Sequence, residues 1–182
     1  MIFFTERLHI RNYKPEDAEA CYENWGHDES SGRYICNYPV ESLETMQKVV
    51  DGYSENGYCW LVCLDDGTPI GDITFTRSNT STDIVEVGYI IGERYQGNGY
   101  AKEALECMFR RYFTAENIYM IQATCNIRNN VSIHLLESFG FRQDAVLKKR
   151  FLCADTGERE DCIVFSLTSG KFITKFGNKQ LG

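Results

Sequence analysis

The segment that decides the fold reads Gln96-Gly97-Asn98-Gly99-Tyr100-Ala101, and it lies between an apolar run over Ile84–Ile91 and a helical pattern that starts near Gly99. Glycine lets the backbone approach a ligand closely, and the first-turn amides of a helix donate to anions because they lack partners within the helix. The segment therefore predicts a pyrophosphate-binding loop that needs no lysine.

Two other phosphate-binding motifs do not fit this segment. It is not a Walker loop, because Lys-Ser/Thr does not follow the glycine. The dinucleotide-binding fingerprint also fails, because the third glycine is missing and the loop comes late in the chain, after several strands.

The charge of the chain agrees with recognition of an anion by the backbone. Among 182 residues, 19 Lys and Arg stand against 26 Asp and Glu, which gives a net charge of −7 at pH 7. This balance argues against a nucleic-acid partner, so any bound anion must be held by local geometry. The acidic surplus also favours, weakly, a cationic substrate.

The apolar runs are too short for a membrane partner. None approaches the roughly 20 residues of a membrane-spanning helix, and the first residues lack a basic region followed by a long apolar stretch. We therefore expect a cytoplasmic protein. Exposed edge strands would permit a homodimer as well as a monomer.

The eight cysteines are scattered, and several lie in apolar runs such as residues 58–63. A chain of this size can bury a core without disulfides, so we expect free, buried thiols. The chain has no CxxC pair, and His9, His27 and His134 show no ligand spacing. No metal is therefore predicted.

Hydrophobic periodicity gives the order of the elements. It predicts strands near residues 8–11, 58–64, 70–76, 84–91 and 119–124, and two final strands that flank the turn 155–158. It predicts helices from Pro15 to about Trp25, over residues 42–54, from Gly99 onward, and over residues 129–139, with Gly140 as the stop. This order is a strand, two helices, a three-strand meander and a βαβ unit. We expect residues 26–39 to form a loop and the polar, basic residues 170–182 a loose tail after one domain over residues 1–169.

The glycine loop matches a known signature. It resembles the Q/R-x-x-G-x-G/A element of the GNAT superfamily of N-acetyltransferases. Further segments resemble its RimJ/RimL-like branch, the ribosomal-protein-alanine N-acetyltransferase-like enzymes: Asn129-Asn130-Val131-Ser132, Leu135-Leu136-Glu137-Ser138-Phe139-Gly140-Phe141, Thr5-Glu6-Arg7-Leu8-His9-Ile10-Arg11, Pro15-Glu16-Asp17-Ala18 and Glu86-Val87-Gly88-Tyr89. The resemblance covers roughly residues 3 to 168.

The resemblance implies a fold, an activity and a cofactor site. The fold is the α/β (α+β) GNAT fold, a mixed, mostly antiparallel sheet of about seven strands flanked by about four helices. The activity is direct transfer of an acetyl group from acetyl-CoA to a primary amine. The resemblance places the pantetheine arm beside the strand end Tyr89, Ile90 and Ile91, and the pyrophosphate on the loop residues Gln96, Gly97, Asn98, Gly99, Tyr100 and Ala101. It also implies that Asn129 contacts the cofactor, although the same residue suits a helix N-cap, and both roles can coexist.

Two residues are candidates for proton transfer. Glu86 is a lone carboxylate among apolar neighbours, and a carboxylate on a buried face would suit a general base; the alternative is an outward-facing strand residue. A backbone N–H near Ile90 could serve the oxyanion. Many relatives carry a tyrosine in the helix after the fifth strand, where this chain has Leu135-Leu136. The resemblance suggests Ser132 as the substitute acid, although a serine in a first helical turn is more often a cap.

The acceptor is left open by the motifs. Trp25 and Tyr34 are candidate substrate contacts from residues 25–38, with Tyr38 beside them. The candidate acceptors are a protein N-terminal α-amine, a polyamine or another small amine, including an antibiotic or a small metabolite. A different class of function, a catalytically silent CoA-binding regulatory module, is supported only by the missing tyrosine.

Overall fold

The computed structural model describes residues 1–35, 38–153 and 156–177. It contains eight strands in this part of the chain: β1 Ile2–Phe4, β2 Leu8–Asn12, β3 Cys59–Leu64, β4 Pro69–Arg77, β5 Ile84–Ile91, β6 Met120–Asn126, β7 Arg142–Leu152 and β8 Arg159–Thr168. The strands are hydrogen-bonded in the order β1-β2-β3-β4-β5-β6-β8-β7. Six α-helices accompany them: α1 Ala18–Cys21, α2 Glu29–Gly32, α3 Leu43–Glu55, α4 Tyr100–Thr114, α5 Asn130–Phe139 and α6 Ser169–Phe176.

The chain divides into two compact units. The first unit contains Met1–Thr74 and Tyr89–Leu105, and the second contains Phe75–Gly88 and Glu106–Gly182. The proposed single domain over residues 1–169 stays a prediction.

In the first unit, β1, β2, β3 and the part of β4 up to Thr74 are neighbouring antiparallel strands. β2 pairs with β3 from Leu8 opposite Leu64, and β3 pairs with β4. The predicted hairpin turn is confirmed: the Leu64 N–H donates to the Thr68 carbonyl, and Gly67 has a φ of +92°. Glycine suits that turn because it reaches a positive φ without steric cost.

The helices of the first unit cover one buried apolar cluster. The predicted helix after Pro15 is confirmed, and it consists of a 3-10 turn at Pro15–Asp17, then α1, then a π-helical turn at Tyr22–Gly26. Ser42 caps α3 as predicted, since its side chain accepts from the Thr45 N–H. The cluster buries, among others, Tyr13, Cys21, Trp25, Met46, Val50, Leu61 and Ile90.

In the second unit, β5 pairs in parallel with β6, from Ile84 opposite Met120. The predicted βαβ unit is thereby confirmed, because α4 lies between these strands in sequence. β6 and β8 are antiparallel, as are β8 and β7. An aromatic core holds this unit: the ring of Phe109 lies 5.0 Å from that of Phe139 and 6.4 Å from those of Phe75 and Phe172.

The fold class is confirmed, but the numbers of elements were underestimated. β1 is an additional strand, whose residue Ile2 lies opposite Arg11 of β2. The loop predicted over residues 26–39 contains α2, which is capped by Asp28, and residues 36 and 37 lie outside the described part. In the turn predicted at 155–158, Asp155 lies outside the described residues, but the flanking strands β7 and β8 are present.

The prediction of a loose tail from Gly170 is wrong for Ser169–Phe176, which form α6. Phe172 is only 1% exposed, and its ring stacks on that of Phe176 at 4.8 Å. Apolar side chains four residues apart share one face of a helix and bury it, which outweighs the polar composition of this segment. The part of the tail from residue 178 lies outside the described residues.

The cysteines behave as predicted where they are described. The seven described cysteines are free and buried, while Cys36 lies outside the described part. Burial raises the pKa of the Cys59 thiol to about 12 and that of the Cys63 thiol to about 11, with smaller contributions from neighbouring charges.

No helix in residues 1–35, 38–153 and 156–177 is both long and apolar enough to span a bilayer. The same residues contain no group of three or more His, Cys, Asp and Glu side chains that could hold a metal ion.

Candidate active site

The glycine loop has the geometry that its sequence predicts. β5 ends at Ile91, a 3-10 turn follows at Glu93–Tyr95, and α4 begins at Tyr100. Gly97 and Gly99 have φ angles of +78° and +81°, which L side chains rarely adopt, and the space that a side chain on Gly97 would occupy is open. The loop therefore presents exposed backbone at the amino end of a 15-residue helix, where the dipole favours an anion.

Two side chains of the loop hold its shape. The Gln96 Nε2 donates to the Ile91 carbonyl at 2.8 Å, and the Asn98 Nδ2 donates to the carbonyls of Tyr95 and Gln96 at 3.1 Å. Because these amides are engaged within the loop, it is the backbone that is available to a ligand.

A brace from the N-terminal segment was not predicted. Glu103 of α4 accepts hydrogen bonds from the Thr5 hydroxyl at 2.6 Å and from the Arg7 Nε at 2.8 Å. The Arg7 Nη1 also donates to the Asn98 carbonyl at 3.1 Å, and its guanidinium lies 4.7 Å from the centre of the Tyr100 ring. Although burial opposes it, the hydrogen bonds from Thr5 and Arg7 hold the pKa of Glu103 below its usual value. The brace thus fixes both the loop and the first turn of α4.

The strand end that leads into the loop is tightly packed. Ile90 and Ile91 are buried, whereas Tyr89 is half-buried. A Cβ on Gly71 of β4 would lie 2.1 Å from the Ile90 carbonyl oxygen. Only glycine permits this approach, so Gly71 sets the distance between its own strand and Ile90.

The predicted substrate residues differ in burial. Trp25 is 0% exposed and belongs to the apolar cluster, while Tyr34 is half-buried. The pKa of the Tyr38 hydroxyl is raised by burial and by the charge of Asp72, and is lowered in part by the Trp25 indole N–H. Trp25 thus faces Tyr38 in the interior of the first unit.

A buried carboxylate in the first unit escaped prediction. Asp72 of β4 is 4% exposed, and its Oδ2 accepts a hydrogen bond from the Tyr13 hydroxyl at 2.7 Å. Burial raises the pKa of Asp72 to about 6, although the Tyr13 hydrogen bond opposes that shift. The available signal was a single carboxylate in the apolar strand Ile70-Gly71-Asp72-Ile73, the same signal that singled out Glu86.

Glu86 does not lie on a buried face, so that expectation is wrong. Its side chain in the second unit is exposed and accepts a hydrogen bond from the Thr124 hydroxyl at 2.6 Å. β5 alternates here between buried and exposed residues, with Val85 and Val87 turned inward. The alternation leaves Glu86 as an outward-facing carboxylate held by a hydroxyl.

The start of α5 in the second unit is built as a capped helix. The Asn129 side chain accepts from the Ser132 N–H at 3.1 Å, so the N-cap role of Asn129 is confirmed. Ser132 is therefore not the cap. Burial raises the pKa of the Cys125 thiol, and a hydrogen bond from the Ser132 side chain lowers it in part. The Leu136 side chain, near the position of the missing tyrosine, is fully buried.

An open acidic groove lies in the first unit beside the π-helical turn. The Arg94 Nη2 crosses it to donate to the Glu23 carbonyl at 2.7 Å. The groove is lined by Glu23, Asn24, His27, Asp28, Glu29, Glu93 and Arg94.

Comparisons with known proteins place the chain in a family. Residues 7–142 match the family described as "Acetyltransferase (GNAT) domain". The chain is 27% identical to the uncharacterized N-acetyltransferase p20 of Bacillus licheniformis, over 80% of this chain and 84% of that protein. It is 27% identical to the ribosomal-protein-serine acetyltransferase of Escherichia coli, over 62% and 66% of the two chains, and 21% identical to the spermidine N(1)-acetyltransferase of Vibrio cholerae, over 82% and 88%.

A solved structure agrees with these matches. The GNAT-family acetyltransferase from Bacillus anthracis superimposes with a TM-score of 0.83 and 25% identity, over 93% of this chain and 99% of that one. The predicted family is confirmed, and a ribosomal-protein acetyltransferase stands among the relatives, as the resemblance to the RimJ/RimL-like branch implied. The chain belongs to the GNAT family of acetyltransferases.

Proposed function

We propose that the protein transfers the acetyl group of acetyl-CoA directly to a primary amine that is charged in solution. Membership of the GNAT family makes the chain an N-acetyltransferase. The observation that carries the finer proposal is the loop from Gln96 to Ala101, with its two left-handed glycines at the amino end of α4.

The loop suits the pyrophosphate of acetyl-CoA. It offers exposed amides, an aligned helix dipole and the open space beside Gly97, and its shape is fixed by the Arg7 and Glu103 brace. When bound, acetyl-CoA supplies an activated acetyl thioester. We assign Tyr89, Ile90 and Ile91 to the pantetheine arm by the family resemblance, and Asn129 to a cofactor contact in addition to its role as a cap.

The roles of Glu86 and Ser132 are proposals of the same kind. A primary amine near pKa 10 is mostly protonated at neutral pH, so a base must remove a proton before the amine nitrogen can attack the thioester. Glu86 is an exposed carboxylate that can take up this proton, directly or through water. The Ser132 hydroxyl lowers the pKa of the Cys125 thiol in part, and we propose that it passes its proton to the departing thiolate and takes up another from water.

The acceptor is a cationic amine, with the charge of the protein as support. Two relatives are named for different acceptors, a ribosomal protein and spermidine, which share a primary ammonium group. The net charge of −7 and the acidic groove beside the π-helical turn favour such a group over a neutral one. A protein N-terminus, a polyamine and another small amine, such as an aminoglycoside, remain candidates.

Acetyl-CoA turnover, measured as release of free thiol, tests the proposal. The panel contains spermidine, a serine tripeptide with a free α-amine, kanamycin, and the N-acetylated tripeptide as a matched control without the reactive amine. We expect thiol release with at least one free amine and none with the control. Tight binding of acetyl-CoA without turnover on any amine would instead indicate the catalytically silent binding module.

A further inference from the structure

Asp72 is a buried carboxylate without a basic partner. Its Oδ2 accepts the Tyr13 hydroxyl, and the described residues offer it no ion pair and offer its Oδ1 no hydrogen bond. An ionised carboxylate in apolar surroundings is costly unless a positive charge or several donors compensate it. Within the described part of the protein, no positive charge therefore compensates Asp72.

The described groups whose pKa values are raised by the charge of Asp72 are all neutral at physiological pH. They come from five different parts of the first unit, and their pKa values are raised by burial and by the charge of Asp72: Tyr13 before α1, Cys21 of α1, Tyr38 after α2, Tyr53 of α3 and Cys59 of β3. Because burial keeps these phenols and thiols protonated, none of them adds charge. The three aromatic rings suit a cation, since the face of an aromatic ring attracts positive charge.

Two buried polar atoms beside Asp72 also lack partners. The Trp25 Nε1 and the Tyr38 hydroxyl have no hydrogen bond of ordinary geometry within the described residues, although they face each other. A buried polar group without a partner costs about 1 to 3 kcal/mol, and native proteins rarely leave one. Tyr38 lies near enough to feel the charge of Asp72, so its hydroxyl is placed to accept from a polar ligand there.

This cluster adjoins the strand that we assign to the cofactor. Asp72 directly follows Gly71, whose backbone lies against the Ile90 carbonyl, and Ile90 belongs to the same buried cluster as Tyr13 and Trp25. All of these residues lie in the first unit. A cation on Asp72 would thus lie close to the end of β5.

We propose that Asp72 binds the ammonium group of the acceptor amine through Oδ1, oriented by Tyr13 and assisted by the Tyr38 hydroxyl as a second acceptor. This inference rests on the proposed function and deepens it, because it names the residue that selects a charged amine. Asp72 acts by binding and positioning the amine and transfers no proton.

Isothermal titration calorimetry on the full chain tests the proposal. The probes are spermidine, the free serine tripeptide, the N-acetylated tripeptide and acetyl-CoA, each titrated at pH 8. For Asp72→Asn we expect binding of the free amines to weaken by about tenfold or more, as for the loss of one ion pair, while acetyl-CoA binding stays within about twofold. Asp65→Asn removes the same charge from the exposed turn of the same hairpin, and it should change neither amine binding nor acetyl-CoA binding.

The pH dependence supplies a readout that a merely structural role would not move. Amine binding should tighten as the pH rises through about 6, where Asp72 ionises, and Asp72→Asn should abolish this limb. Tyr13→Phe removes the hydrogen bond that holds the carboxylate ionised, so its limb should move to higher pH. Thermal melts of each variant check that it is folded.

Each outcome decides for or against the proposal. Equal amine affinity in Asp72→Asn and the wild type, an unmoved pH limb, or no amine binding to the wild type would overturn it. Amine binding that depends on Asp72, without thiol release on any amine, would leave the ammonium site standing and contradict the acetyl-transfer proposal. Thiol release that is unaffected in Asp72→Asn would contradict the ammonium site and leave the acetyl-transfer proposal standing.

Discussion

Replacing Asp72 with asparagine should stabilise the protein at alkaline pH and have less effect in acid. Asparagine has nearly the same shape and can still accept the Tyr13 hydrogen bond, but it carries no charge into the interior. The ionised carboxylate of the wild type has no basic partner among the described residues, so its burial opposes folding whenever it is ionised.

The size of the effect follows from the pKa of Asp72. Its carboxyl group titrates near 3.8 without burial and at about 6 in the folded protein. One pKa unit corresponds to 1.36 kcal/mol, so the ionised form costs the folded state about 3 kcal/mol. The folded state binds the Asp72 proton more tightly than the unfolded state does. The resulting contribution to the free energy of unfolding is therefore fully present below about pH 3.8 and is lost as the pH rises through about 6. About 1.5 kcal/mol of that loss falls between pH 5 and pH 8.

Urea unfolding of the wild type and Asp72→Asn at several pH values measures this difference. Subtracting the two curves removes the titration of all other groups, and the variant should gain about 1.5 kcal/mol relative to the wild type between pH 5 and pH 8. Asp65→Asn serves as the exposed control and should show no such gain. A difference that stays constant with pH would refute the reasoning, because Asp72 would then not titrate in this window.

Three further changes test the proposed loop and the proposed proton-transfer residues. Gly99→Val forces a β-branched residue into a left-handed conformation and should abolish acetyl-CoA binding in calorimetry. The control, Gly67→Val, is equally strained but lies in the β3–β4 turn, so it should cost about 1 to 2 kcal/mol of stability and keep acetyl-CoA binding. Retained affinity in Gly99→Val would contradict the loop assignment. Glu86→Gln should lower kcat mainly below the pKa of the amine, and an unchanged pH-rate profile would remove Glu86 as the base. Ser132→Ala should slow turnover by about tenfold or more with little change in the KM for acetyl-CoA. The control, Ser138→Ala, loses only a hydroxyl bonded to its own helix and should not slow turnover. A rise in KM alone would make Ser132 a cofactor contact.

The elements that the sequence predicts well are those with long periodic patterns. α3, α4 and α5 each carry apolar residues at helical spacing, and the capping side chains of Ser42 and Asn129 lie where the pattern puts them. One missed element, α6, carries Phe172 and Phe176 at helical spacing, but the polar composition of its segment favours a loop. The other two are short. α2 spans four residues of Glu-Ser-Ser-Gly without an apolar repeat, and β1 spans three, so neither gives a periodic signal.

The site divides in the same way between local and distant information. The glycine loop is predictable because its two glycines and the hydrogen bonds of Gln96 and Asn98 lie within a few consecutive residues. The brace is not, since Arg7 and Glu103 are 96 residues apart and only the folded chain brings them together. Charge complementarity between two such residues is visible in a sequence only after their contact is known.

Glu86 and Asp72 show why burial cannot be read from a single strand. Each is the one carboxylate in an apolar run, and each run is a strand of the same sheet. β5 alternates between buried and exposed residues, which turns Glu86 outward, whereas β4 is buried on both faces from Pro69 to Ile73. Which pattern holds depends on whether helices cover the second face, and that is a property of tertiary packing.

The instability that Asp72 introduces and the selectivity proposed for it have one physical origin. Ionisation of Asp72, which no cation of the described residues compensates, lowers the free energy of unfolding by about 3 kcal/mol. A bound ammonium group supplies the missing charge, and a ligand present at 100 times its dissociation constant stabilises the folded state by about 2.7 kcal/mol. The two magnitudes are comparable, so an amine can restore what the charge removes, whereas a neutral molecule of the same shape cannot. The net charge of −7 draws cations from a distance, but discrimination between charged and neutral acceptors requires an uncompensated carboxylate out of water. Asp72 meets that condition, whereas the buried carboxylate of Asp17 is already paired with Arg11.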